Sequence, residues 1–510
     1  VKYNTKRTGT NRYANRPDAT LNYEGALSFK PSTDKLALFK GVVSCFFGEP
    51  KFYQTADESV KELKGLAEKV AKEDPDFVLR LAILTRNYFN LRTVSLFLLS
   101  VVVNVSAGNF CTYKAIAKTI TRADELTELI AMNDALYPRR DGKNKMALPQ
   151  AIKKGVALAF RKFNEYNLAK YDRKTKVTLK DAMILTHPTP KDKKQGKLFG
   201  KLLDDKLATP KTWETFISVN GSTKENWQKI LPEMGIFAFV RNLRNLTNLG
   251  VDISGAIEKF KTPEAIKRSR MLPFRFYQAW KEISHTESKN FLEYAVNQSV
   301  ANLEKWDGKT LVLVDLSGSM TWTTLSGKST MKPAEISALF GALIHEMFND
   351  KQAVIVPFAS GYKVLNLDSI KGVLNKADAI RNCGISGGTY AHQPINHMYD
   401  LNYEFDRIIL LSDGDVWSSE SRYGRDGDGI DSAFVDAMTR YRNQINKDTK
   451  LYMFDLTGYN HMVLPEDNRT VLIGGWSDRI FQFIRHMETA EEESLKLVYT
   501  DETEYKKYTL

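Results

Sequence analysis

Cysteine is almost absent. Cys45, Cys111 and Cys383 are an odd number, widely spaced, with no C-x-x-C pair. That usage argues against a disulfide framework and against a thiolate zinc site, and it suits a reducing cytosol. Histidine is nearly as rare. His392 and His397 lie five apart without an H-E-x-x-H context, so the helical metalloprotease pattern is missing. No apolar run is long enough to cross a bilayer. The longest, "VSLFLLSVVVNV" (94–105), is interrupted by Ser100 and reads as a buried core helix. No charged-then-apolar leader opens the sequence, so a cytoplasmic protein without a membrane partner is expected. Two look-alikes fail on spacing. "SGKST" (326–330) has Trp322 where a phosphate loop needs its first glycine. "DGDGID" (426–431) has Ala437 in place of the closing glutamate of a calcium loop. No nucleophile–base pair stands out, and a non-enzymatic protein is expected.

Charge is abundant and unevenly placed. Residues 1–305 hold 52 Lys and Arg against 32 Asp and Glu, a balance of +20. Residues 306–510 hold 21 against 29, a balance of −8. The densest block, 151–200, carries 13 basic and 4 acidic residues. Such asymmetry points to a basic half that meets a polyanion and a separate acidic half. A solvated lysine-rich helical surface would give the same counts. At 510 residues the chain is too long for one ordinary core, so more than one domain is expected.

Hydrophobic periodicity changes near residue 305. Before it the pattern is helical. "SVKELKGLAEKVAKE" (59–73) puts Val60, Leu63, Leu66, Ala67 and Val70 on one face. "DPDFVLRLAILTRNYF" (74–89) begins with a capping Asp and a proline in the first turn. Further helices are expected at 110–135, 148–170, 178–186, 233–249 and 288–304, and strand signals are scarce. Many helices joined by short polar turns suggest an α-solenoid of the HEAT kind. After Trp306, strand-length apolar runs at 310–314, 353–358, 407–411, 451–456 and 470–473 alternate with amphipathic stretches at 331–348 and 431–445. That alternation predicts a doubly wound, mainly parallel α/β sheet.

In such a sheet, ligands bind beyond the carboxyl ends of the strands. Two strands end there in oxygen-rich segments. "TLVLVDLSGSM" (310–320) supplies Asp315, Ser317 and Ser319, and "LLSDGDV" (410–416) supplies Asp413. Thr389 stands behind two glycines in "SGGTY" (386–390). Five oxygen donors with no thiolate suit a hard divalent cation whose retained waters complete the shell. Mg²⁺ is the first expectation, with Ca²⁺ and Mn²⁺ as alternatives. The set D-x-S-x-S, then Thr, then Asp resembles the metal-ion-dependent adhesion site of von Willebrand factor A domains. Tyr390 departs from it, because relatives usually carry a small polar or acidic residue there.

The basic half pairs its cations with aromatics: Arg161, Lys162, Phe163, Tyr166, Lys170, Tyr171 and Arg173. On one continuous helix, Lys162, Tyr166, Lys170 and Arg173 would form a stripe. Cations neutralise phosphates, and aromatic rings offer platforms for unstacked bases. "YNLAKYDR…VTLKDAMILTHPTP", "GIFAFVRNLRNLTNLGV" (235–251) and "RSRMLPFRFYQAWKEI" (268–283) resemble the TROVE module of the Ro autoantigen, telomerase-associated protein and bacterial relatives. So do 25–53 and 74–103, and with the A-domain the resemblance to Ro proteins covers nearly the whole chain.

The resemblance implies an α-helical HEAT-like repeat ring with a basic central hole, closed by a doubly wound von Willebrand factor A domain. The expected divisions are 1–305 for the helical repeats, 306–490 for the A-domain, and 491–510 for a C-terminal tail packing back on the ring. It also implies small noncoding Y-type RNA as a partner on the outer surface, around Lys170 to His187. Single-stranded 3′ ends of defective RNA would enter the hole, making the protein a scaffold in RNA quality control or processing. His187 becomes an expected RNA contact rather than a helix cap. Arg241 and Arg244, on "RNLRNL", are candidates that could equally tie helices through carboxylates. A monomer within the ribonucleoprotein is expected, with an exoribonuclease or another protein as the partner through the metal site. The rivals are a metal-dependent adhesion or assembly factor and a metal-dependent nuclease.

Overall fold

A computed structural model gives the architecture. It describes residues 19–21, 27–29, 33–43, 56–106, 111–142, 144, 146–269, 271, 273–301, 306–324, 331–348, 352–416, 433–456, 463–464, 469–474 and 495–509. Cys45 and the look-alike loops at 326–330 and 426–431 lie outside them. The chain divides into two compact units that do not follow chain order. One comprises 34–43, 58–233 and 492–510; the other comprises 1–33, 44–57 and 234–491. A short antiparallel pair that periodicity missed, β1 (Ala19–Leu21) with β2 (Leu27–Phe29), opens the described chain. Three-residue strands are too short for an alternation signal.

The first unit is helical. Its elements are α1 (Asp34–Val43), α2 (Ala56–Glu73), α3 (Pro75–Asn87), α4 (Arg92–Val105), α5 (Thr112–Thr119), α6 (Asp124–Leu136), α7 (Gln150–Phe160), α8 (Glu165–Tyr171), α9 (Leu179–Thr186), α10 (Lys193–Leu203), α11 (Trp213–Asn220) and α12 (Lys224–Ile230). The start of α3 is written in its sequence: the Asp74 carboxylate accepts from Phe77 N at 3.0 Å, and Pro75 occupies the first turn. Helix α3 packs on α5, α5 on α7 and α7 on α9, while α4 packs on both α3 and α6. Two rows of helices therefore lie side by side, as repeat stacking requires. The α5–α7 contact is close enough to require Gly155, where a Cβ would fall 2.6 Å from Ile116. One buried ion pair joins rows: Arg86 on α3 holds the fully buried Glu125 of α6 at 2.6 Å. The segment 495–509 belongs here too, with Tyr505 Oη donating to Asp76 at 2.8 Å and Arg80 pairing Glu504.

Two expected helices are broken. The stretch 110–135 turns at 120–123, and 148–170 turns at 161–164. At the second break Asn164 restarts the chain with a capping box, its side chain accepting from Asn167 N at 2.9 Å. Local capping thus overrides a continuous apolar pattern.

The second unit begins with α13 (Ile236–Asn248), α14 (Ser254–Phe260), α15 (Pro263–Ser269), α16 (Pro273–Lys281) and α17 (Thr286–Ala301). The sheet follows: β3 (Thr310–Asp315), β4 (Ala353–Phe358), β5 (Arg407–Ser412), β6 (Lys450–Asp455) and β7 (Thr470–Gly474). Its order is β4-β3-β5-β6-β7, and every ladder pair is parallel. Helices α18 (Gly318–Trp322), α19 (Pro333–Met347), α20 (Val373–Arg381), α21 (His392–Asp400) and α22 (Ala433–Gln444) connect the strands. Leu311, Leu313, Ile408 and Leu410 face a core shared with α21 and α22. Val314 and Ile355 face Gly341 of α19 on the other side. Burial on both faces explains why these strands read as continuous apolar runs. Helix α17 packs on α20, where Asn297 accepts from Val373 N at 3.1 Å. Among the described residues, no helix is long and apolar enough to cross a membrane.

Candidate metal centre and basic helical surface

The connection after β3 runs to β4 on one side and the connection after β5 runs to β6 on the other, so the sheet's switch point lies between β3 and β5. Asp315 ends β3 there, and Asp413 follows β5. Both are fully buried, and Ser317, Ser319 and Thr389 are nearly so. The local turn arises because Asp315 Oδ1 accepts from Ser317 N at 2.8 Å, which bends the chain and brings the Ser317 and Ser319 hydroxyls to 3.3 Å. Ser412 donates to Asp315 Oδ2 at 2.5 Å.

Thr389 comes from a separate loop, held by three bonds. Gly318 N donates to Gly387 O at 2.9 Å, Gly388 N donates to Ser360 Oγ at 2.7 Å, and Tyr390 N donates to Ala359 O at 2.9 Å. Gly387 has φ +110°, and a Cβ on it would fall 2.2 Å from Ser360 Oγ. Both conditions demand glycine. Tyr390 sits beside His392, with ring centroids 6.1 Å apart.

The electrostatics are those of crowded, desolvated carboxylates. Burial pushes Asp315 up to about 6, with the Ser317 and Ser412 hydrogen bonds pulling the other way and Asp415 adding to the rise. Burial, then the charges of Asp415 and Asp315, raises Asp413 well above the usual carboxylate range. Asp413 Oδ2 is buried and accepts no hydrogen bond among the described residues. A cation in contact with that oxygen would satisfy it and reverse the rise in both pKa values. Two carboxylates with three hydroxyls fit a small hard cation that keeps waters. No cluster of three or more His, Cys, Asp or Glu arranged for a metal occurs among the described residues, so the hydroxyls are indispensable to any such site. Asp315, Ser317, Ser319, Thr389 and Asp413 could hold the ion, which would supply an open coordination position for an oxygen ligand.

The basic candidates do not form one stripe. Tyr166 and Lys170 share α8, with the Lys170 ammonium 5.8 Å from the Tyr166 ring. Arg173 lies beyond the Asp172 C-cap and is exposed. Lys162, in the turn before α8, points elsewhere: its ammonium donates to Ala117 O and, at 2.7 Å, to Ile120 O at the end of α5. Arg161 Nε donates to Thr189 O at 2.9 Å. His187 is both cap and exposed residue. Its backbone caps α9 at φ 49°, donating to Met183 O at 2.9 Å, while the residue faces solvent. Arg241 and Arg244 are exposed on α13, and Arg244 pairs with Glu282 at 3.1 Å.

The motif reading passed over α10 and the loop before it. Lys191, Lys193, Lys194 and Lys197 are exposed and form no ion pair among the described residues. The charge excess of 151–200 was the signal that could have found them.

Comparison with known proteins agrees with this architecture. Residues 27–205 and 197–326 match the TROVE domain, and residues 309–487 match the Ro60 vWA domain. The RNA-binding protein RO60 of Deinococcus radiodurans is 21% identical over 273 residues, 49% of this chain and 48% of that protein. Telomerase protein component 1 of Mus musculus is 28% identical over 89 residues, 16% of this chain and 3% of that protein. The chain thus matches about half the length of the bacterial relative and a small part of the murine one. The crystal structure of the Deinococcus radiodurans RO (RSR) protein superposes with a TM-score of 0.64 at 17% sequence identity, covering 90% of this chain and 100% of that one. That likeness shows a shared fold. Since the TROVE match takes in more than half of the chain, the protein belongs to the TROVE domain family, with a Ro60 vWA domain following the helical part.

Proposed function

We propose that this protein is a non-enzymatic, cytoplasmic RNA-binding scaffold that takes part in RNA quality control or processing. The observation that carries the reading is the exposed set Tyr166, Arg173, His187, Lys193, Lys194 and Lys197, with the half-buried Lys170 beside Tyr166, within the TROVE-matching stretch. Lys170, Arg173 and His187 would contact the backbone of a small structured RNA of the Y type, with Lys193, Lys194 and Lys197 extending the track. Cations that are exposed and unpaired can release counterions from a polyanion without first giving up a protein partner. The name of the bacterial relative, an RNA-binding protein, agrees with this assignment. Single-stranded 3′ ends of misfolded RNA are the second proposed ligand.

Replacement of Lys170, Arg173 and His187 together by alanine tests the reading. Each lost phosphate contact removes up to about one unit from the slope of log affinity against log salt. The expected result is weaker binding of structured RNA with a flatter salt dependence and an unchanged melting temperature. Unchanged affinity and slope in the folded variant would leave this face a solvated surface.

We also propose that the carboxylate–hydroxyl centre holds Mg²⁺. The unsatisfied Asp413 Oδ2 supports it. An ion there would present an open position to an oxygen ligand from a protein partner, such as an exoribonuclease.

A further inference from the structure

Helix α13 buries one face and leaves the other uncovered. Ile236, Phe239, Val240, Leu243 and Leu246 are buried, whereas Phe237, Arg241, Arg244, Asn245 and Asn248 are exposed. At 100° per residue those five exposed positions fall within about a third of the helix circumference, so they form one continuous strip. Its composition is unusual for a solvent face. Phe237 is 53% exposed and pairs with no other ring or cation among the described residues. One turn further on stands Arg241, and next Arg244. No acidic residue occurs anywhere in α13. A single exposed phenylalanine is unremarkable by itself. Here it leads a row of guanidinium and carboxamide groups, and Lys259 adds a further cation near the same end, donating to Met234 O at 3.4 Å.

We infer that this face of α13 binds an unpaired RNA strand, with a base stacked on Phe237 and adjacent phosphates on Arg241 and Arg244. The inference rests on the reading that the protein binds RNA and adds a stacking residue to it. Every base has a π-face, so a lone aromatic flanked by cations captures single strands without demanding sequence. A duplex keeps its bases stacked on one another and offers Phe237 nothing. Asn245 and Asn248 carry donors and acceptors that reach base edges once the bases are splayed apart. Arg244 is held by Glu282, but both side chains are solvent-accessible, so exchanging that carboxylate for a phosphate costs little. Packing and then the like charge of Arg241 lower the pKa of Arg275. An anion at Arg241 would relieve that repulsion.

The test uses the full chain and two probes, a fluorescein-labelled oligouridylate of ~10 nucleotides and a blunt-ended RNA duplex. Phe237→Leu keeps apolar bulk but removes the ring; Phe237→Tyr keeps the ring. Phe237→Leu is expected to weaken oligouridylate binding about tenfold, and Phe237→Tyr to leave it unchanged. Neither should alter binding of the blunt duplex. Arg241→Ala should flatten the salt dependence of oligouridylate binding by about 0.7 of a unit. Oligouridylate binding by Phe237→Leu equal to that of the unsubstituted protein would overturn the inference while leaving RNA binding intact. So would an equal loss for the leucine and tyrosine variants. Retained RNA binding with loss of a copurifying protein would reassign the strip to a protein partner. If the unsubstituted protein binds neither probe, both this inference and the broader RNA-binding reading fall.

Discussion

Replacing Lys162 with methionine should reduce stability in a pH-dependent way and leave RNA affinity unchanged. The Lys162 ammonium donates to two carbonyls at the end of α5, Ala117 O and Ile120 O, and lies 5.3 Å from the Tyr508 ring. Hydrogen bonds from a charged donor contribute about 1.5–3 kcal/mol each. Against them stands desolvation: burial, opposed by Glu125 and reinforced by Arg86 and Lys118, lowers the Lys162 pKa from 10.5 to about 8. At roughly 1.4 kcal/mol per pKa unit, that fall holds about 3 kcal/mol against the charged form. The two effects nearly cancel at neutral pH, so Lys162→Met should cost only about 1–2 kcal/mol there. The folded pKa lies below the unfolded one, so the unfolded chain binds more protons between about pH 8 and 10.5. The penalty is full below about pH 8 and is relieved as pH rises, while the neutral amine still donates to both carbonyls. The stability gap between the two proteins should therefore widen by about 2 kcal/mol from pH 7.5 to 9.5. Urea denaturation at both pH values measures it, and taking the difference removes lysines and tyrosines common to both proteins. A gap that stays constant, or a loss of RNA affinity with unchanged stability, would refute the argument.

Two further outcomes follow from the geometry. Saturating Mg²⁺ at a hundredfold over its dissociation constant should stabilise the protein by about 2.7 kcal/mol, seen as a higher melting temperature that a chelator reverses. Asp413→Asn should abolish the response, and a melting temperature indifferent to both Mg²⁺ and chelator would argue against a metal at this centre. Glu125→Ala strands the buried Arg86 guanidinium and the amides of Thr121 and Arg122, both bonded to Glu125, and should cost about 3–5 kcal/mol in urea denaturation. Combining Arg86→Met with Glu125→Leu should recover much of that loss, and a double variant no more stable than the single would place the cost elsewhere.

The A-domain was legible because its signals are local. Each of its five described strands coincides with an apolar run, and Asp315, Ser317, Ser319 and Asp413 follow the carboxyl ends of β3 and β5, with the Thr389 loop bonded there through Gly318 and Gly387, since strand direction and loop glycines determine where they emerge. The helical part was legible in its fold class but not in its breaks. No periodicity reports that Asn164 restarts a helix, because the apolar positions on both sides keep helical spacing. That one break undid the expected stripe by separating Lys162 from Tyr166 and Lys170. It also shows why charge density alone assigns no function. Lys162 and Lys170 are indistinguishable as letters, both set among aromatics in the most basic block of the chain. Packing commits Lys162 to two carbonyls of α5 and leaves Lys170 beside Tyr166. A cation whose donors are already taken must break protein hydrogen bonds before it can meet a phosphate, and one facing water need only shed solvent and counterions. The same distinction raises Lys193, Lys194 and Lys197, which no motif singled out, above Lys162, which one did.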